Sequence, residues 1–207
     1  PGYCTSEVAD HAMALLLALN RRIVELDRDL HDGAWVRYGS ATGGILRGPI
    51  PPLRQSTLGI VGFGRIGQAV ADRARGFGLR LLAADPYVAP DVVEAIGATL
   101  LPLDELLPQA DYITLHTPLT PETRGLINAE RLARMKPDAA IINTARGPII
   151  DLDALVKHLE ANPQARAALD VVYPEPFPTD HPLYRLPNVI HTPHAAYYSE
   201  QSVITVR

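Results

Sequence analysis

Leu58-Gly59-Ile60-Val61-Gly62-Phe63-Gly64-Arg65-Ile66-Gly67-Gln68-Ala69-Val70-Ala71 decides the fold of this chain. An apolar run with strand character enters the pattern Gly62-x-Gly64-x-x-Gly67 and leaves it as a helical pattern. Three glycines alone say little, but a strand before and a helix after are what a dinucleotide pyrophosphate loop requires. Gly62 permits the tight turn, Gly64 lets the backbone approach a pyrophosphate, and Gly67 lets the helix pack on the strand. The helix N-terminus then offers unpaired N–H groups and a partial positive charge to the phosphates.

Downstream, the next apolar run, Leu79 to Ala84, ends in Asp85, 18 residues beyond Gly67. An acid about 20 residues past the loop bonds the adenosine ribose hydroxyls. It also repels a 2′-phosphate, and Pro86-Tyr87-Val88 supplies no cation to hold one, so the spacing predicts NAD rather than NADP. The competing reading is that Asp85 merely caps a turn with Pro86.

Working outward from the loop, short apolar runs alternate with amphipathic stretches. Strands are predicted at Thr57–Val61, Arg80–Ala84, Tyr112–His116, Ala139–Thr144, Ala167–Val171 and Val189–His191. Helices are predicted at Ile66–Phe77, Pro90–Ile96, Leu103–Leu107, Asn128–Arg134 and Leu152–Leu159. Nearly all-apolar strands alternating with helices imply an α/β fold, a doubly wound parallel sheet of Rossmann type in a single domain. Residues 57–192 would form its core.

Upstream, Val8, Ala12, Leu15, Leu16, Leu19, Ile23, Leu26 and Leu30 recur at helical steps, which predicts one long helix from Glu7 to about Leu30. Thr5 or Ser6 would cap its start and Asp32-Gly33 its end. Residues 1–32 are thus read as the long helix and residues 33–56, rich in Gly and Pro, as an extended loop. A further helix is expected near Ser199, with residues 193–207 beginning the return to another domain. Both ends read as cut from something larger.

The chain has 207 residues, 47% hydrophobic and 20% charged, with a formal charge of −4. Its interspersed signs give no basic stripe for nucleic acid, and its longest apolar run, Ala12 to Leu19, is too short to cross a bilayer. Neither nucleic acid nor membrane is expected as a partner. The single Cys4 excludes an internal disulfide framework and fits a reducing cytoplasm. No spacing suggests a metal site.

The remaining candidates gather after the predicted strands, where ligands of a doubly wound sheet sit. His116-Thr117-Pro118, Asn143-Thr144-Ala145-Arg146-Gly147, Asp170 and His194 all lie there. Arg146 can grip a carboxylate through two parallel hydrogen bonds and polarise a neighbouring carbonyl, or else form a structural ion pair. Asp151 is placed to cap the following helix. Glu175 stands among Pro174, Pro176 and Pro178, which fix its backbone. His194 suits proton exchange near neutral pH, and a carboxylate beside it would favour the imidazolium, so Glu175 is expected to pair with it. His191 is expected to pack and His116 to act through its backbone. His11, His31, His158 and His181 read as solvated or capping residues.

Taken together, these stretches resemble the D-isomer-specific 2-hydroxyacid dehydrogenase family, and the resemblance runs through the whole chain. It is carried by Tyr3 to His11, Leu58 to Gly67, His116 to Thr120, Asn143 to Asp151, Ala168 to Pro176 and Thr192-Pro193-His194. The resemblance implies that Arg146, Glu175 and His194 are catalytic. Arg146 would hold the 2-oxoacid carboxylate, and His194, supported by Glu175, would protonate the carbonyl as NADH delivers hydride to C2. It also implies cofactor contacts at Gly62, Gly64, Arg65, Ile66, Gly67, Asp85, Thr117, Pro118, Thr123, Thr144, Ala145, Asp170, His194 and Ala196, with Asp170 near the nicotinamide carboxamide.

Within the family, Asp85-Pro86-Tyr87 and the tail from His194 to Ser202 are similar to the C-terminal-binding-protein branch, whose animal members are NAD-responsive co-repressors. Tyr197 departs from the tryptophan found there. The alternative to an oxidoreductase domain is therefore an NAD-sensing binding module. A formate or phosphite dehydrogenase fits less well, because formate enzymes lack the glutamate. The family's substrate domain is not expected in these residues, so the chain would bind NADH with negligible turnover, and glyoxylate, hydroxypyruvate and 3-phosphohydroxypyruvate stay open as substrates. A homodimer through the long helix and the 33–56 loop, with Trp35, is also implied.

Overall fold

Among the described residues, 4–39 and 50–206 of a computed structural model, seven strands form one parallel sheet. The strands are β1 (Thr57–Val61), β2 (Arg80–Ala84), β3 (Ala98–Leu100), β4 (Tyr112–Leu115), β5 (Ala140–Asn143), β6 (Arg166–Leu169) and β7 (Val189–His191). Their spatial order is β3-β2-β1-β4-β5-β6-β7, every pair parallel. The doubly wound sheet expected from the strand–helix alternation is therefore present. Strand β3 is an addition to the expected set, because three residues are too few to show a period.

The helices are α1 (Thr5–Arg21), α2 (Ile23–His31), α3 (Ala34–Tyr38), α4 (Arg65–Gly76), α5 (Pro90–Ala95), α6 (Leu103–Leu106), α7 (Ala129–Arg134), α8 (Leu152–Ala161) and α9 (Glu200–Val206). Successive strand residues point to opposite faces, so the sheet builds two cores. Leu58, Ile60, Leu81 and Ala83 pack with α1 and α4 on one face. Val61, Leu82, Ile113 and Leu115 pack with α6, α7 and α8 on the other. Because both faces are covered, β1, β4 and β5 are buried along their whole length. Asn128 and Asp151 cap α7 and α8 by accepting from the N–H groups of Arg131 and Ala154. No described helix is long and apolar enough to cross a membrane.

The N-terminal region corrects one expectation. The predicted single helix is two, broken at Arg22, whose left-handed backbone (φ 54°, ψ 34°) ends α1 and starts α2. Helix α1 buries Val8, Ala12, Leu15, Leu16 and Leu19 against the sheet, while no residue of α2 is buried. The apolar period runs through the break because α2 keeps an apolar stripe, with Ile23, Val24 and Leu30 exposed. Periodicity reports a stripe but not the direction it faces. Cys4 stands at the N-cap of α1 rather than Thr5 or Ser6, with no side-chain cap. Of the predicted 33–56 loop, residues 34–38 form α3, Leu53–Gln55 form a short 3-10 turn, and residues 40–49 lie outside the described residues, as does Tyr3.

Asn20 closes α1 onto the sheet: its amide donates to the Tyr112 hydroxyl at 2.8 Å and to the Pro51 carbonyl at 3.0 Å. Burial pushes the Tyr112 phenol above its usual range, with the Asn20 hydrogen bond acting the other way. Losing one partner of a buried pair costs about 1–3 kcal/mol. Asn20→Ala should therefore lower the urea-unfolding free energy by that amount, and Asn20→Ala with Tyr112→Phe should cost less than the sum of the two.

Candidate functional site

The strand order reverses between β1 and β4, and the glycine loop lies at that switch point. Gly62 has φ +89°, and a Cβ on it would sit 2.7 Å from the carbonyl carbon of His116, so the turn admits no side chain. A Cβ on Gly67 would collide with the Gly62 carbonyl oxygen. At Gly64 a Cβ would meet nothing of the chain, so the room this glycine leaves opens onto the cleft. Helix α4 starts at Arg65, one residue earlier than expected, and is long enough to present its N–H groups to an anion.

The cleft encloses about 800 Å³ between Gly62, Gly64, Asp85, Tyr87, Leu101 and Thr117. Asp85 closes the turn, as one of the two sequence readings asks, and also ties that turn to the glycine loop. One oxygen accepts from Tyr87 N at 2.9 Å, closing the turn with Pro86, and the other accepts from Phe63 N at 2.8 Å inside the glycine loop. Each carboxylate oxygen keeps a further acceptor site. Thr123 and Pro118 also line the cleft, and Thr123 Oγ1 ties this wall together by donating to the Pro118 carbonyl at 2.6 Å. Among the described residues, the buried Oγ1 atoms of Thr117 and Thr144 and Nδ1 of His116 have no hydrogen-bond partner. Buried polar atoms are nearly always paired. Three such atoms at the carboxyl edge of β4 and β5 fit a polar cofactor lying over that edge.

Past β5, Asn143 shapes the turn that carries Arg146. Its amide donates to the Arg146 carbonyl at 2.9 Å, and its oxygen accepts from Ala145 N at 3.0 Å. Gly147 then passes so close to Val172 that a Cβ would collide with its carbonyl. The Arg146 turn and the segment leading to Glu175 are thereby packed together. The guanidinium is exposed and donates to the Ala145 carbonyl at 2.6 Å. No described carboxylate pairs with it, which removes the ion-pair reading among these residues.

Past β6 and β7, Glu175 and His194 meet as expected. Glu175 Oε2 lies 2.8 Å from His194 Nδ1, and its Oε1 accepts from Val172 N at 3.2 Å. Both side chains are partly exposed, 40% and 43%. His194 has a left-handed backbone, φ 53°, and Tyr197 meets its ring edge-on at 6.0 Å. Asp170 holds that conformation. Its buried carboxylate accepts from Thr192 Oγ1 at 2.5 Å, Ala195 N at 2.9 Å and Ala196 N at 3.0 Å, and its carbonyl accepts from His194 N at 2.8 Å. The expected cofactor residues Asp170 and Ala196 thus join inside this turn. Ala145 and Ile66 are partly buried beside their respective turns.

The other histidines divide. His191 packs, stacked on Phe177 and beside Tyr184. His181 caps the short turn Pro182–Arg185, and His31 is exposed beside Asp27. His11 departs from the solvated or capping role expected of it: its Nε2 lies 3.0 Å from Thr192 Oγ1 and 3.6 Å from Asp170. No spacing could link residues 181 apart. His158 is half-buried rather than solvated, and burial lowers its pKa. His116 contributes its side chain as well as its backbone, with Nε2 2.9 Å from Thr114 Oγ1. No group of three metal-binding side chains occurs among the described residues.

Residues 13–196 match the family model described as D-isomer specific 2-hydroxyacid dehydrogenase, NAD binding domain. The chain is similar to the glyoxylate reductase of Korarchaeum cryptofilum, 44% identical over 206 residues, covering 98% of this chain and 60% of that protein. The fold is similar to the crystal structure of a Thermus thermophilus protein, with TM-score 0.88 and 44% identity over 98% of this chain and 61% of that one. It is also similar to D-lactate dehydrogenase from Aquifex aeolicus complexed with NAD and lactic acid, with TM-score 0.85 and 33% identity over 100% of this chain and 64% of that one. The chain thus spans about 60% of the length of the glyoxylate reductase it matches.

Burial pushes the His116 imidazole down to about 3, so it is neutral in the fold at any ordinary pH. In the unfolded chain a histidine titrates near 6.5 and takes up a proton that the folded site refuses. The stabilisation is fully present above about pH 6.5 and is lost as pH falls toward 3. Below pH 6.5 this group should steepen the loss of unfolding free energy by up to about 1.4 kcal/mol per pH unit. His116→Gln should remove that share, read from urea unfolding at pH 7, 6 and 5.

Proposed function

The chain belongs to the D-isomer specific 2-hydroxyacid dehydrogenases through their NAD-binding domain, and from that membership we propose that it serves hydride exchange between NAD(H) and a D-2-hydroxyacid/2-oxoacid pair. The observation that carries this reading is the Glu175–His194 contact of 2.8 Å, on the same sheet edge as the glycine loop and the Arg146 turn. NAD is the proposed cofactor over NADP, supported by Asp85 at the head of the cleft, where a carboxylate opposes a 2′-phosphate. Gly62, Gly64, Arg65, Ile66 and Gly67 would hold the pyrophosphate, and Thr117, Pro118, Thr123, Thr144, Ala145, Asp170, His194 and Ala196 the remainder. When bound, the nicotinamide supplies or accepts hydride at C2 of the acid.

The chain's own residues would handle charge and proton. Arg146 would take the substrate carboxylate in a two-pronged grip. Glu175 engages Nδ1 of His194, which leaves Nε2 to hold a proton toward the substrate oxygen or remove one from the hydroxyl. A small 2-oxoacid such as glyoxylate is the proposed substrate class, supported by the similarity to a glyoxylate reductase. Proton exchange is what this arrangement is suited to and an NAD-sensing module has no need of it, which favours the oxidoreductase reading over the sensing-module alternative.

Residues 57–192 are proposed as the cofactor core, and residues 193–207 as the return toward a substrate domain. Residues 1–32 and the 33–56 loop are proposed as a homodimer surface. Ile23, Trp35 and Val36 support that surface, since all three stand exposed and Val36 is 93% exposed. A reducing cytoplasm is the proposed setting, supported by the single cysteine.

The protein carrying this chain should oxidise NADH with glyoxylate, and NADPH far more slowly. His194→Gln should lower kcat by about 10²–10⁴-fold, and Glu175→Gln should lower it less. An unchanged kcat in His194→Gln would refute the reading. Val36→Glu with Trp35→Ala should halve the mass seen by light scattering at micromolar protein. A mass that does not change would count against the surface.

A further inference from the structure

We propose that His11, on α1, is a positioning residue for His194, acting across the sheet edge through Thr192 and Asp170. The inference rests on the proton-exchange reading of His194 but reaches a residue that reading does not use. The Thr192 hydroxyl has one proton, which it donates to Asp170 Oδ1 at 2.5 Å. Its oxygen must then accept from His11, so the 3.0 Å contact is Nε2–H donating to Thr192 Oγ1. This donor exists in the neutral Nε2–H tautomer and in the cation alike.

The relay ends on the carboxylate that also holds Ala195 N and Ala196 N. Those bonds wrap residues 192–196 around Asp170 and hold His194 at φ 53°, an uncommon backbone for a non-glycine residue. Without His11, Thr192 can turn its proton elsewhere, and the Asp170 carboxylate loses one of its three donors. The His11 ring is itself well placed to act as a fixed post. It is 25% exposed, and α1 is anchored beside it by Glu7, which accepts from Ser199 Oγ at 2.7 Å, and by Asp10, which pairs with Arg73 of α4 at 2.6 Å. One turn of α1 therefore grips both the helix that follows the glycine loop and the segment that follows His194.

The test uses His11→Leu, His11→Gln and Thr192→Val in the protein carrying this chain. Amide hydrogen exchange over residues 192–199 should speed up by about tenfold in His11→Leu and in Thr192→Val, with residues 166–169 as an unchanged reference. The double variant should add little to either single one, since both cut the same relay. Glutamine, whose amide can donate near the position of Nε2, should restore most of the protection. In parallel, kcat for the 2-oxoacid should fall by about tenfold in His11→Leu, while NADH affinity by nucleotide fluorescence stays within about twofold. Exchange unchanged in both single variants, or His11→Gln behaving like His11→Leu, would overturn the proposal. If the unaltered protein reduces no 2-oxoacid, the functional reading fails, while the exchange measurement still decides the positioning role.

Discussion

A parallel sheet covered on both faces has only one place to expose chemistry, and the packing of Gly62 against His116 fixes where that place opens. The loop after β1 turns toward α4 on one face, and the chain after β4 leaves over the other. Their backbones touch at the crossing, where His116 N donates to the Val61 carbonyl at 2.7 Å and Gly62 N to the Ala84 carbonyl at 2.9 Å. Any side chain at residue 62 would push those ladders apart. The crevice beside this contact is the cleft, and the turns after β5, β6 and β7 line up along the same edge because their strands run parallel in register with it. The sheet thus does more than support the site: it decides which loops can share one.

The costlier device is the buried carboxylate of Asp170. Taking an ionised carboxylate out of water costs several kcal/mol unless donors replace the solvent. Here a hydroxyl and two backbone N–H groups do so. Hydrogen bonds to a charged group contribute about 1.5–3 kcal/mol each, against about 1–2 kcal/mol for one left-handed non-glycine residue. The bonds exceed the strain, so the conformation of His194 follows from satisfying Asp170. The imidazole is aimed by a charge it does not itself touch, and Glu175 then fixes the ring.

Much of this architecture is legible in the order of residues alone. The glycine loop, Asp85, the strand alternation and the Glu175–His194 pair rest on local patterns, where a few neighbouring residues carry their own physical reason. What sequence patterns miss is non-local or directional. The break at Arg22 is invisible to periodicity because α2 continues the apolar stripe while turning it toward solvent. Strand β3 is three residues long and has no period to detect. His11 sits at an ordinary helical position, and only the folded sheet edge brings it to Thr192. Asp170 stands out by its place after a strand, yet its role in wrapping the His194 turn depends on three donors that no spacing rule connects.

The ionisable groups on this edge fall into two sets by exposure, and the division sets a fixed frame beneath open side chains. The Asp170 side chain is fully buried, while His116 is partly buried and held neutral at any ordinary pH. Asp170 fixes the backbone through the donors it holds, and His116 borders the cleft as an uncharged ring. Glu175 and His194 are partly open to solvent, and Arg146 is exposed. Exposing Asp170 would release the turn that aims His194. The same edge needs both environments within a few residues, and the wrap of residues 192–196 around Asp170 supplies them by lifting His194 outward while its neighbours stay pinned beneath.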